Sequence, residues 1–152
     1  MKLRVLLPLS VFVLFPLVAS AQVTIAPTQA SFVHADVDFN ATAAYRLDFY
    51  ACTSVTQAGL CVGRSSTPFQ TAGQVLKSAV SGSATARTFP MSALTPAVLP
   101  SMPIGVAFVS TIIAIGDTAV PGVVGNSPPS ADSNAFFAQG RTPASPAALS
   151  IR

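Results

Sequence analysis

The run Ile104 to Gly116, IGVAFVSTIIAIG, sets the strictest limit on what this chain can fold into. It carries no charge, is rich in β-branched residues, and is poor in good helix formers, with glycines at Gly105 and Gly116. A stretch with no polar face to offer water predicts a central strand with both flanks paired. A chain built around such a strand must supply neighbours for it.

Period-2 alternation supplies them. In SFVHADVDF, Ser31 to Phe39, the alternation puts Val33, Ala35, Val37 and Phe39 on one face of a predicted strand. Phe32, His34, Asp36 and Asp38 fall on the other. Asn40-Ala41-Thr42 breaks the pattern, and AYRLDFYAC resumes it. There Tyr45, Leu47, Phe49 and Ala51 share one face, and Arg46, Asp48, Tyr50 and Cys52 share the other.

Weaker strands are predicted at LCVGR, at Gly73 to Val80 and at Ser83 to Met91. The stretch PMSALTPAVLPSMP holds Pro90, Pro96, Pro100 and Pro103, each of which removes a ladder donor, so it reads as a surface loop with at most one helical turn. DTAVPGVVGNSPPSADSN is turn-forming material, and NAFFAQ a short closing strand. About seven strands separated by Gly, Pro, Ser and Asn clusters point to an all-β fold, a two-layer antiparallel β-sandwich, with a small open barrel as the alternative.

The N-terminus reads as a secretory signal peptide over residues 1–21. Lys2 and Arg4 precede an apolar run, Val5 to Val18, and Ala19-Ser20-Ala21 gives a small-x-small cleavage pattern. The run is too short to span a bilayer comfortably, so no membrane span is expected after cleavage. The sandwich domain is expected over 22–139 and a flexible tail over 140–152. Without Lys2 and Arg4, six basic residues face five aspartates and no glutamate, a net charge near +1 with the basic groups scattered. A nucleic-acid binder needs a clustered basic stripe, so no nucleic-acid partner is expected.

Three stretches resemble the fibronectin type III family. YRLDFY (Tyr45 to Tyr50) is similar to the family's third strand. FVSTIIAIG resembles the sixth, with Phe108, Ile112 and Ala114 at its aromatic, aliphatic and alanine positions. NSPPSADSNAFF resembles the last loop and strand. The resemblance implies an immunoglobulin-like β-sandwich over roughly Val23 to Gln139, and another sandwich of that kind stays open because Phe108 replaces the usual tyrosine and no tryptophan is present. Such a scaffold hosts many functions and implies none by itself.

Among chemistry-bearing residues, Cys52 and Cys61 come first. Their spacing is not C-x-x-C, and the single histidine cannot complete a four-ligand zinc site. In an exported chain the pair predicts a disulfide across a hairpin, closing a loop over TSVTQAGL. His34, Asp36 and Asp38 would stand in a row on one strand face, too spread for one tight metal centre; a solvated face is the plain reading, and cation binding or acid–base work the alternatives. No G-x-S-x-G elbow and no phosphate-cradling glycine loop occur. Asn40-Ala41-Thr42 fits the N-glycosylation pattern or a polar turn, and Phe32, Tyr50 and the Met91–Met102 loop form either a contact patch or the edge of the core.

These readings converge on a secreted or periplasmic, non-catalytic fibronectin type III-like module with no cofactor, for binding or structural roles at the cell exterior. Its partner would be a protein or glycan, with self-association possible. Two alternatives are a strand-exchanging assembly subunit, pilus- or coat-like, and a small secreted hydrolase built on His34.

Overall fold

The structure, a computed structural model, describes residues 23–69 and 72–139; the signal peptide and the tail expected from the sequence lie outside them. Among the described residues nine strands form two sheets, with one short helix outside them. The central element is the expected one. The apolar run becomes β8 (Ala107–Gly116), which pairs antiparallel along β3 (Thr42–Val55) from Ala107↔Cys52 to Gly116↔Thr42. Around this pair the large sheet adds β1 (Thr24–Ile25), β9 (Phe136–Phe137), β4 (Cys61–Arg64) and β5 (Gly73–Leu76), in the order β1-β9-β8-β3-β4 with β5 also on β3. The small sheet runs β2 (Gln29–Phe32), β7 (Ala86–Pro90), β6 (Ser81–Ser83).

The core lies between the sheets. Tyr45, Leu47 and Phe49 point in from β3, Phe108 from β8, Phe136 from β9 and Phe89 from β7, all buried. Ile112 and Ala114 pack against the same cluster, so the three β8 positions that carry the family resemblance share the inner face. The outer face of the large sheet has a smaller cluster of its own, Cys52, Ala107, Val109 and Ala135.

Several expectations are corrected. The strand expected over Ser31–Phe39 ends at Phe32, and Asp36–Asn40 turns into helix α1. The amides of Phe39 and Ala41 bond back to the carbonyls of Ala35 and Val37, satisfying the backbone locally instead of along a ladder. The expected faces therefore do not hold: Val33 and Val37 are 76% and 74% exposed, while Phe32 and Phe39, expected on opposite faces, both pack on the core. The strand expected over Ser83–Met91 is present from Ala86 as β7, with a turn at Ala84–Thr85 leading into it from β6, and the Gly73–Val80 strand ends at Leu76 and gives way to a 3-10 turn at Lys77–Ala79. The proline-rich stretch does stay outside the sheets, but it is no mere surface loop. Its 3-10 turns at Met91–Ala93 and Leu99–Ser101 bury Met91, Leu94, Val98 and Met102 across one end of the sandwich. Nine described strands replace the expected seven because β1 and β6, of two and three residues, are too short to show a period.

One edge of β8 is finished without a regular strand. In the segment Asn126–Asn134 every third residue is a serine, and each serine makes the same pair of bonds. Ser127, Ser130 and Ser133 donate their amides to the carbonyls of Ala114, Ile112 and Ser110 at 2.8–3.0 Å. Their hydroxyls accept the amides of those same three residues at 2.9–3.1 Å. Each hydroxyl then donates to the carbonyl of the next residue in the strap. Two residues of β8 advance roughly 6.7 Å, so three strap residues share that rise and the two between serines bow outward. Pro128 and Pro129 fit there because only the serines donate to β8.

Candidate functional site

The sandwich is open along the side where β2 faces the serine strap. β2 pairs with β7 alone, in the register Gln29↔Pro90 to Phe32↔Arg87. The Met91 amide bonds the Thr28 carbonyl, which makes Ala30 and Phe32 the residues whose backbones face β7. The amides and carbonyls of Gln29 and Ser31 point the other way, to the free edge. Among the described residues none of these four groups has a hydrogen-bond partner.

Beside that edge lies a groove of two adjoining hollows, about 170 and 260 Å³. Ala30, Ser31, Leu47, Ser110 and Ser133 line both; Phe136 and Met91 deepen one, and Phe89 and Ile112 the other. No ionisable side chain is among the described lining residues. The groove exists because the chain does not run along β2 before entering it. It pairs β1 in parallel with β9, Thr24↔Phe136 and Ile25↔Phe137, then crosses to the other sheet. The crossing is made at Ala26, at φ 50°, whose amide bonds the Phe137 carbonyl at 2.8 Å.

Comparison with known proteins finds no matching family model, curated protein or solved structure.

The residues singled out from the sequence separate into distinct places. Cys52 and Cys61 are joined in a disulfide with Cα atoms 5.5 Å apart. Cys52 is not the last residue of its strand, since β3 continues to Val55, which pairs with Cys61. The clasped loop turns at Gly59, φ 74°, and the Gly59 carbonyl accepts the Ala135 amide. By the chain-entropy model, closing a loop of about ten residues contributes roughly 2.7 kcal/mol. Closer to Cys52, Arg64 lies 3.5 Å over the Tyr50 ring and pairs with Asp132 of the strap at 3.0 Å, so Tyr50 covers the outer cluster.

His34, Asp36 and Asp38 do not form the expected row, because the helical turn sends each elsewhere. His34 Nδ1 lies 2.8 Å from the Tyr45 hydroxyl, within an aromatic group that includes Phe32. Asp36 pairs with Arg87, and the Asp38 backbone carbonyl accepts the Thr42 hydroxyl. Among the described residues no three His, Cys, Asp or Glu gather as metal ligands. No described helix is long and apolar enough to cross a membrane. Asn40 is exposed at the end of α1, where its carbonyl accepts the Lys77 ammonium, while Thr42 of the same tripeptide is buried.

Two side chains prove central to this corner: Arg87, which alternation does not single out, and Tyr45, which it places on one face with Leu47 and Phe49. Arg87 is only 6% exposed, donates to the Gly82 carbonyl, and lies with its guanidinium 3.9 Å over the Phe39 ring. Tyr45 sits at the junction of β3, β5 and the turn after β2. Burial pushes its phenol above the ordinary 10.0, against the opposing pull of the Thr42 hydroxyl and the Arg87 charge. The signal for Arg87 in the sequence is faint: one basic residue among small polar ones in SATARTF.

Proposed function

We propose that this chain is a secreted, non-catalytic β-sandwich of immunoglobulin-like, fibronectin type III-like kind that serves as a binding or structural module outside the cytoplasm. The observation that carries the reading is the strand order. β9-β8-β3-β4 facing β2-β7-β6 matches the G-F-C-C′ and B-E-D orders of immunoglobulin-type sandwiches. β1 pairs in parallel with β9 instead of joining β2. A disulfide in place of free thiols supports an oxidising destination. The bare edge of β2 and its groove supply a surface for recognition, as loops and sheet edges do on such scaffolds.

The same bare edge supports a second reading, an assembly subunit joined by strand exchange. Both are tested on the exported protein. The module reading expects an N-terminus at Gln22, a mass two hydrogens below the dithiol form, a monomer by size exclusion, and a partner retained from native surroundings by the oxidised chain. Polymers or dimers lost on trimming residues 140–152 would favour assembly. Turnover of ester or glycoside substrates, abolished by His34→Ala, would overturn the non-catalytic reading.

A further inference from the structure

We propose that the free edge of β2 is a strand-acceptor site, taking an extended, uncharged segment of another protein whose small apolar side chains enter the groove at alternate positions. This rests on the binding-module reading above and gives it a site and a ligand class.

The backbone of β2 decides the shape of the ligand. Gln29 and Ser31 hold two donors and two acceptors in strand spacing along the open side, with no described partner. Groups two residues apart on a strand lie roughly 6.7 Å apart, an interval that an added extended backbone repeats with its own donors and acceptors. The four residues of β2 span about 13 Å, room for a strand of about four to five residues.

Lining chemistry decides composition. The hollows are floored by Leu47, Phe89, Ile112 and Phe136 and also lined by Ser31, Ser110, Ser130 and Ser133, so inward side chains of the ligand meet hydrocarbon together with hydroxyls. With no ionisable group in the described lining, a charged side chain placed there would lose its hydration and find no counter-charge. The hollows adjoin along β2, so side chains at i and i+2 of an added strand enter one each, while the intervening side chain faces solvent.

A folded second copy fits less well. Its own β2 could offer backbone, but its Ala30 and Phe32 already pack on its own core and cannot enter this groove. The occupant is therefore a segment that is extended before binding or can become so at little cost.

The test uses the full exported chain, ¹⁵N-labelled, and the synthetic peptide acetyl-Thr-Val-Thr-Val-Thr-amide as probe. The expected result is saturable shifts of the amide signals of residues 29–33 and 130–133. A peptide N-methylated at the amides that face β2 should give none, and one with lysine in place of valine should bind more weakly. Ser31→Pro removes an edge-facing donor that β7 does not use, and should weaken the valine peptide roughly tenfold through the lost hydrogen bond and its strain. The N-methylated peptide asks the same question of the unmodified protein should that variant not fold.

Equal binding of the N-methylated peptide would overturn the proposal. So would exchange-protected amides at Gln29 and Ser31 in the free protein: a monomer would then show that the chain's own segment fills the edge, and a dimer that a second copy does. Shifts confined to another surface would remove this site and leave the module reading standing. Failure of that wider reading would show instead as catalysis dependent on His34.

Discussion

The two walls of the groove solve the same problem in opposite ways. β8 and β2 each present one flank that no full-length strand covers. On β8 the amides and carbonyls of Ser110, Ile112 and Ala114 are all met by three serines of the strap. On β2 those of Gln29 and Ser31 are left to solvent or to a ligand. The difference teaches that an edge can be closed by side chains when backbone alone will not run straight, and that an edge left bare beside such a device marks a surface the chain keeps accessible.

The largest expected effect comes from undoing the closed edge. Replacing Ser127, Ser130 and Ser133 together by alanine removes three acceptors for β8 amides, at about 1 kcal/mol each, or roughly 3 kcal/mol in urea unfolding. A loss under about 0.5 kcal/mol would mean that water serves those amides equally well and that the two edges differ less than their bonding implies.

The disulfide comes next, because its loop holds the strap's far end through Gly59 and Ala135. Replacing Cys52 and Cys61 by alanine should cost roughly 2.7 kcal/mol by loop entropy. Hydrogen exchange should accelerate at Ser133 and Ala135 while Ala30 and Phe32 are little changed. Equal acceleration on both walls would show that the clasp stabilises the sandwich as a whole and not one edge.

Alkaline pH strikes the β2 side instead. Phe32 packs edge-on against Tyr45, whose ring centroid is 4.9 Å away, and burial raises the Tyr45 pKa. The folded chain keeps that phenolic proton to higher pH than the unfolded chain, whose tyrosine ionises near its ordinary 10.0. The stabilisation is whole below pH 10 and is lost as pH rises through the folded value. Titrating phenolate absorbance in a Tyr50→Phe protein isolates Tyr45; ionisation at or below 10.0 would refute its burial. The smallest effect belongs to Ser31→Pro, expected to change stability by under about 0.5 kcal/mol because the lost donor serves no native bond. A larger loss would show that β2's edge is already paired.

Most of the fold was legible where residues decide their surroundings alone. The β8 run and the Tyr45, Leu47 and Phe49 alternation carry their burial in their own chemistry, and the cysteine spacing carries the clasp. Residues Asp36–Asn40 were not legible, because DVDFN alternates yet closes its hydrogen bonds within one helical turn. The proline stretch misled in the other direction. Its prolines do bar it from the ladder, but bent 3-10 backbone still aims Met91, Leu94, Val98 and Met102 inward. The groove could not be read at all, since it depends on where β1 leaves the large sheet. NSPPSADSN reads as loop because its order has period three, which is neither a helix's nor a strand's.

That period has a consequence for how the sequence can drift. A paired strand constrains every position, by hydrogen bonds, by facing or by both, whereas the strap is specified at one residue in three. The side chains of Pro128, Pro129, Ala131 and Asp132 lie outside the repeated bonding and are free to take on separate duties, as that of Asp132 has done by reaching Arg64. Substitutions can accumulate there without disturbing the sheet, so the wall opposite β2 is a place where this molecule can change what it presents while keeping what it is.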